Sequence, residues 1–541
     1  MDSLFDTKHL YRSYFKMALP VVLGMVVTLV YNLADTFFIA QTNDTNLIAG
    51  VSLCSPVFTA LMAFGNIYGQ GGSSLISRLL GQQDGEGAKR VSSFCFYIAL
   101  ATGIVLAVVM TTFNRPILTL LGADAETFPH AFAYYIVLVV SAPIMVLSFI
   151  HSSLVRCEGM STESMVGTVL GAVVNIILDP ILISGAGMGA MGAAVATVIG
   201  YFCSVVYFLW LLHKKSRCLS VKLSLGRVSS GELRQILGVG ITAALSNLMQ
   251  SLCIIVINQF LLPYGNDKIA AMGIVLKINM IAQLILTGFA FGGVPLFGYL
   301  YGAGKQVEMK KLIGFCLGFL SAFSLVLTAV LCLFASPLMG AFVQGTVMIA
   351  TGTEMLRWQA ASTVFAGIVL LLTVLFQATG KVGPSFILSI SRQGVVFVAS
   401  LLICTNLFAY NGVLMSQAVA DVCSALIALV LLLFIGGKML LEGIRSEDGN
   451  SEKAGVSFAA LIVQGIATSI DALSVGFTIA EYDWLMALVC SLIIAAVTFI
   501  ICMVGLLIGK KFGTKLSRKA SILGGSILVV IGLEIFITGV F

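Results

Sequence analysis

Charge is scarce in this 541-residue chain: Asp, Glu, Lys and Arg together make up 10% of it, against about 25% in an ordinary soluble domain. Set beside 59% hydrophobic residues and a mean hydropathy of +1.05, that shortage excludes a water-soluble globular fold. Other absences narrow the class further. The 12 cysteines show no CxxC spacing, and most, such as Cys253, Cys404 and Cys490, lie in apolar runs. There Cys behaves as a small hydrophobe, so neither a disulfide framework nor a zinc site is indicated. No GxxxxGK[ST] loop occurs, so neither an enzyme nor direct coupling to ATP is indicated, and no cofactor is called for. Stretches such as LIALVLLLF do not alternate in polarity, which excludes a membrane β-barrel. The N-terminal MDSLFDTKHLYRSYF is polar and enters a helix without a small-residue cleavage site, so no removed signal peptide is expected.

What is present is a succession of apolar stretches of about 20 residues, each long enough to cross a hydrocarbon core of about 30 Å as a helix. Fifteen can be marked, starting near residues 14, 46, 92, 131, 163, 188, 236, 268, 312, 357, 385, 412, 455, 483 and 519. The expected fold is therefore an all-α polytopic membrane protein. Basic residues set its orientation, because Lys and Arg beside membrane helices stay on the cytoplasmic side. With the N-terminus inside, the cytoplasmic connections hold Arg78, Lys89, Arg90, the basic loop from Lys214 to Arg234, Lys305, Lys310, Lys311 and the cluster Lys510 to Lys519. The outer ones hold little beyond Arg115, Lys268 and Arg357. Topology thus accounts for the net charge of +6 without a nucleic-acid partner, and the basic loops suit anionic lipid.

At a fixed shift of 221 residues LLGQQDGEGAKR, from Leu79, aligns with LYGAGKQVEMKK, from Leu300, and IAGVS at Ile48 falls on IAAMG at Ile269. The first twelve helices read as a duplicated six-helix unit. Six is even, so both copies enter from the same side and are related by an axis along the membrane normal, with a central cavity between them. ALPVVLGMVVTLVYNLADTFFIA with GGSSLISRLLGQQD, then NIILDPILI, GGVPLFGYLYGAGK, FQATGK and SRQG, resembles the multidrug and toxic compound extrusion (MATE) family over about residues 9–435. The resemblance implies two six-helix lobes around a V-shaped cleft, and export of bulky organic cations driven by inward sodium or proton movement. After Leu433, LFIGGKMLLEGIRSED, ATSIDALSVGF, GLLIGKKFG and ILGGSILVVIGLEIF resemble the second half of the small MntP-like manganese efflux family. The expected organisation is an N-terminal lobe at 9–213, a cytoplasmic loop at 214–235, a second lobe at 236–441, a linker at 442–454 and a three-helix half-repeat at 455–541.

VYNLADTFFIAQ raises the sharpest functional question, since it puts Asp35 inside an apolar run. A membrane carboxylate is costly and points at protein, a partner or water. Asn175 and Asp179 are four apart and share a helix face. With Thr197, the two carboxylates, amide and hydroxyl can form an all-oxygen cage for sodium or a proton-sharing pair. The resemblance places an ion site at these four positions; the competing reading is hydrogen bonding across helices. Pro180 frees a backbone carbonyl one turn back and permits a kink.

The second lobe departs from this pattern. LMQSLCIIVINQ carries Gln250, Asn258 and Gln259 but no acid. Lys277 could repel a cation, pair with Asp421 or another acceptor, or snorkel. The asymmetry points to one ion site, in the first lobe. Tyr31, Phe64, Met249, Met280 and Phe289 are cleft-lining candidates against ordinary packing, and Gln70 and Arg78 read as close-packing and loop-anchoring elements. In the tail, Asp471 with Thr468 and Ser469 offers oxygen ligands to a hard divalent cation. The half-repeat leaves open a homodimer that rebuilds the pump, a vestigial appendage, or an error of gene joining, and the favoured reading combines the last two. Glu534 falls near the outer interface, and the C-terminus is expected outside. The function read from all this is a cell-membrane antiporter exporting organic cations. The alternatives are a lipid-precursor flippase, which calls for a basic rather than an acidic and apolar cleft, and manganese export by the tail.

Overall fold

The computed structural model describes residues 9–42, 44–222, 228–342 and 345–445. The chain divides into two compact units, Met1–Met439 and Leu440–Phe541. The helices expected at 455, 483 and 519, with Asp471 and Glu534, lie outside the described residues. Those residues are nearly all helical, with no strand among them.

Span 1 is Leu10–Ala40, span 2 Thr45–Gly81 and span 3 Gly85–Thr112. Span 4 is the bent pair Phe128–Val140 and Ala142–Cys157, span 5 Ser161–Gly185 and span 6 Gly189–Lys214. Spans 7 to 10 are Ser230–Tyr264, Asp267–Gly302, Gln306–Leu333 and Thr346–Ala378. The remaining helical stretch, Val382–Leu432, has 51 residues, about 76 Å if straight and more than twice a bilayer core. It is not straight. Ala409 has φ 49° and ψ −122°, and a Cβ on Gly412 would overlap the Cys404 carbonyl. In a continuous helix those two positions would be about 12 Å apart, so the chain reverses there and the stretch supplies spans 11 and 12. All twelve helices expected before residue 440 are present.

Their spacing obeys the repeat seen in the sequence. Shifted by 221 residues, both ends of span 3 fall on the ends of span 9, and Gly81 and Ser161 fall on Gly302 and Val382. Side chains follow the same register. Ile104, Val105 and Val109 in span 3 are exposed, and so are Leu325, Val326 and Val330 at the matching positions of span 9. Each set is an apolar stripe suited to lipid.

The inter-lobe contact is reciprocal in the same register. A Cβ on Gly81 would overlap the Tyr299 carbonyl, and one on Gly302 would overlap the Arg78 carbonyl; residues 78 and 299 are themselves repeat partners. Gly298 meets the hydroxyl of Ser77, its own repeat partner, which puts the pseudo-two-fold axis beside that pair. Small residues permit such close packing in a membrane, where hydrophobic burial between helices contributes little. Polar ties reinforce it. Tyr14 donates to the Phe289 carbonyl at 2.9 Å, and Ser74 donates to the Gln377 carbonyl. Arg78 Nη1 donates to Gln235 at 3.0 Å, and Arg90 pairs with Glu232 at 3.1 Å. Ser229 and Glu232 also close a capping box that starts span 7.

The lobes differ where sequence chemistry differs. Span 4 bends by 57° at Ser141, ahead of Pro143, which has no amide proton to continue the helix. Its counterpart, span 10, carries Val364 there and runs unbroken.

Candidate functional site

In the first lobe a cavity of about 230 Å³ is lined by side chains from spans 1, 2, 4, 5 and 6, among them Tyr31, Asn66, Gln70, Asn175, Thr197 and Tyr201. Asn175, Asp179 and Thr197 are all buried, at 2%, 0% and 4% exposure. The Asn175 amide joins the other two. In the orientation that satisfies both ends, Nδ2 donates to Asp179 Oδ2 at 3.3 Å, and Oδ1 accepts from the Thr197 hydroxyl at 3.3 Å and its backbone amide at 3.2 Å. Asp179 thus sits one turn beyond the cavity wall, tied to it through Asn175. The chain beyond Asp179 is loosened: after Pro180, residues Ile181–Gly185 form a π-helical turn, a local widening common at functional sites.

Asp35 stands on span 1, one turn past Tyr31. Its Oδ1 is buried and accepts no hydrogen bond among the described residues, and it lies within electrostatic reach of Asp179. Three tyrosines, Tyr31, Tyr134 and Tyr201, lie near Asp35. Tyr134 also lies near Asp179, and the hydroxyls of Tyr31 and Tyr201 are 3.5 Å apart. Tyr134 and Tyr201 escape a reading confined to acids and amides in sequence; aromatic hydroxyls in apolar spans near a carboxylate were the available signal. Arg156 at the other end of the cavity was also missed. It bonds to Ser153 at 3.0 Å.

The second lobe holds a cavity of about 290 Å³. Lys277 lines it, and so does Arg392, whose Nε donates to Asp421 Oδ1 at 2.9 Å while Nη2 donates to Gln283 at 3.3 Å. Gln417 donates to the same Asp421 oxygen at 3.1 Å. The Ser362 hydroxyl lies beside the carboxylate but donates to the Gln359 carbonyl at 2.8 Å. Asp421 is fully buried behind Arg392. Its partner is therefore Arg392 and not Lys277: span 11, loosened by a π-helical turn at Ser391–Val395, carries the guanidinium to it. Lys277 makes no ion pair among the described residues.

Of the aromatic and methionine candidates, Tyr31 and Met280 line the two cavities. Phe289 is buried in packing, 5.1 Å from Phe319 and 5.3 Å from Phe323. Gln70 lines the first cavity, whereas Arg78 anchors span 2 to span 7 as expected. Among the described residues no group of three or more His, Cys, Asp or Glu is placed to hold a metal ion.

Two repeated six-span halves about an axis along the membrane normal, each enclosing a cavity with buried charge, define a polytopic membrane transport protein. Comparison with known proteins gives the family. The MatE family model matches residues 20–181 and 242–402. Multidrug export protein MepA of Staphylococcus aureus is 31% identical over 81% of this chain and 97% of its own length. The protein of the same name from Staphylococcus saprophyticus is 32% identical over 82% and 98%. Among solved structures, MATE in the bent conformation superposes with a TM-score of 0.74 at 25% identity, covering 81% of this chain and 97% of that one. A MOP superfamily transporter from Pyrococcus furiosus, described as having a binding pocket of reverse polarity, does so with the same score and identity over 80% and 96%. The chain belongs to the MATE family. A second family model, putative manganese efflux pump, matches residues 388–536. It begins within span 11 rather than near residue 433, so residues 388–402 are shared by both matches.

Proposed function

We propose that the protein is a secondary antiporter that exports organic cations in exchange for sodium or protons, with the coupling ion held at Asp35, Asn175, Asp179 and Thr197. The observation that carries this reading is the buried Asp179–Asn175–Thr197 chain at the end of the first cavity, with an unsatisfied Asp35 oxygen nearby. Four oxygen-bearing side chains and no sulfur or imidazole suit a hard cation. Two carboxylates within reach of each other in a membrane resist ionising together, so the same set can also take up a proton. Neutralising the pair, by either ion, removes the cost of exposing charge and biases the lobe toward one of its two access states. The Pro180 break and the π turn behind it leave span 5 free to rearrange at that point.

MepA is a multidrug exporter by name, which supports the same substrate class. In this reading the lobes span 9–213 and 236–441, the N-terminus is cytoplasmic, and residues 455–541 are not needed for drug export. The test is efflux of a fluorescent organic cation from vesicles in which sodium and proton gradients are imposed separately. Efflux driven by either gradient supports the reading, and efflux driven by neither overturns it.

A further inference from the structure

We infer that the cavity of the second lobe is a subsite for the carboxylate of an organic substrate. This rests on the transport reading above and adds a site that the coupling residues do not use. Two cationic side chains, Lys277 and Arg392, line that cavity, and no carboxylate does. Asp421 lies behind Arg392 and balances its charge, so the wall keeps a surplus of one positive charge, that of Lys277. Lys277 is exposed to the cavity and hydrogen-bonded to no described residue, so its ammonium has three free donors. Arg392 is held in place by Asp421 and Gln283 through Nε and Nη2, which leaves Nη1 free for a ligand. A guanidinium fixed from behind and a loose ammonium beside it together suit a planar carboxylate. Ile254, Leu276 and Met280 supply apolar wall for the ring that carries it.

The repeat register strengthens the argument. The first-lobe partners of Arg392 and Asp421 are Gly171 and Gly200, which pack backbone to backbone; a Cβ on Gly200 would come within 2.6 Å of the Gly171 carbonyl. The partner of Lys277 is Pro56. All three charges therefore belong to one lobe alone and are not required by the shared fold. The ion pair neutralises two of them, and Lys277 has no structural partner that explains it.

The test uses the full chain, purified, and the free-acid and methyl-ester forms of one rhodamine dye, which differ only in a benzoate carboxylate. Binding is read by fluorescence polarisation at fixed salt. Lys277→Gln is expected to lower the acid-to-ester affinity ratio about ten-fold, the scale of one lost charge contact, while Lys277→Arg keeps it within about two-fold. Sodium benzoate should displace the acid from the parent protein and leave the ester bound. A ratio unchanged in Lys277→Gln, or benzoate that fails to displace the acid, overturns the subsite. Displacement of the acid by short-chain phosphatidylglycerol but not by benzoate also overturns it, and assigns the cavity to a lipid headgroup. If the parent binds neither dye, the exporter reading itself falls. Ester binding with gradient-driven efflux, but no response of the ratio to Lys277, removes only the subsite.

Discussion

The two lobes share a backbone register and oppose each other in charge. Where span 5 meets span 6, Gly171 and Gly200 let the helices touch, and about two turns further along span 5 Asp179 reaches toward the cavity through Asn175. At the same crossing in the second lobe the chain has Arg392 and Asp421, already paired at 2.9 Å, and the partners of Asn175 and Asp179 are Val396 and Ser400. The partner of Asp35 is Val256. One lobe thus keeps carboxylates without a fixed cation, and the other carries its cation as a side chain. In the proposed mechanism a cation taken up in the first lobe would have a covalent analogue in the second, so duplication of the fold need not duplicate the ion site.

The largest expected effect tests this division directly. Asp179→Asn keeps the side-chain volume and removes the charge, so gradient-driven efflux should fall to background while the protein still inserts and folds. Asp35→Asn should do nearly the same. Efflux at the parent rate in either variant, under both gradients, would mean that the first lobe is not where the ion couples.

A second substitution asks what the internal cation does. Arg392→Ala strands a fully buried carboxylate, and loss of one partner of a buried pair costs about 3–5 kcal/mol, read as a lower Tm of the purified chain. Replacing both, Arg392→Met with Asp421→Leu, should be milder than the single change, because neither charge is then left uncompensated. If the single variant is as stable as the parent, Asp421 has another route to compensation and the analogy between bound and tethered cation fails.

A third measurement sharpens the symmetry itself. Gly81→Val and Gly302→Val each push a side chain into a carbonyl of the other lobe, Tyr299 in one case and Arg78 in the other. Overpacking of this kind costs about 1–3 kcal/mol, and the two losses of thermal stability should be close to equal. Unequal losses would show that the lobes depart from the repeat at their interface as well as in their charges.

Much of this was legible before any coordinates. Length and polarity of the apolar runs placed twelve spans, since a bilayer admits few other solutions, and two short matches at one shift placed the repeat. The i, i+4 spacing of Asn175 and Asp179 foretold their contact. Thr197, by contrast, is on another helix, and only the family resemblance brought it into the set. The Arg392–Asp421 pair was not read. In the sequence Arg392 stands within a motif, SRQG, and Asp421 is one acceptor open to Lys277, because sequence alone does not say which faces of three helices meet. The signal was present all the same: applying the 221-residue shift to Gly171 and Gly200 would have returned an arginine and an aspartate together.

The smallest effect is expected from the tail. Truncation after residue 444 should leave drug efflux within about two-fold of the parent, because the twelve spans already include both lobes, both cavities and all four proposed ion ligands. Reciprocal glycine contacts and polar ties join the two lobes directly. The match to a putative manganese efflux pump over 388–536 raises the opposite expectation for metal. In the sequence of residues 455–541, Asp471 with Thr468 and Ser469 offers too few ligands for a divalent cation, which takes six or more oxygens when it is calcium-like. Cells expressing the full chain should therefore accumulate as much manganese as control cells, and Asp471→Ala should change nothing. Lower accumulation with the full chain, restored by Asp471→Ala, would show that the tail transports metal and that the chain joins two pumps. Loss of drug efflux on truncation would show instead that the lobes depend on the tail, and the comparison would then have to be drawn among three parts of the molecule.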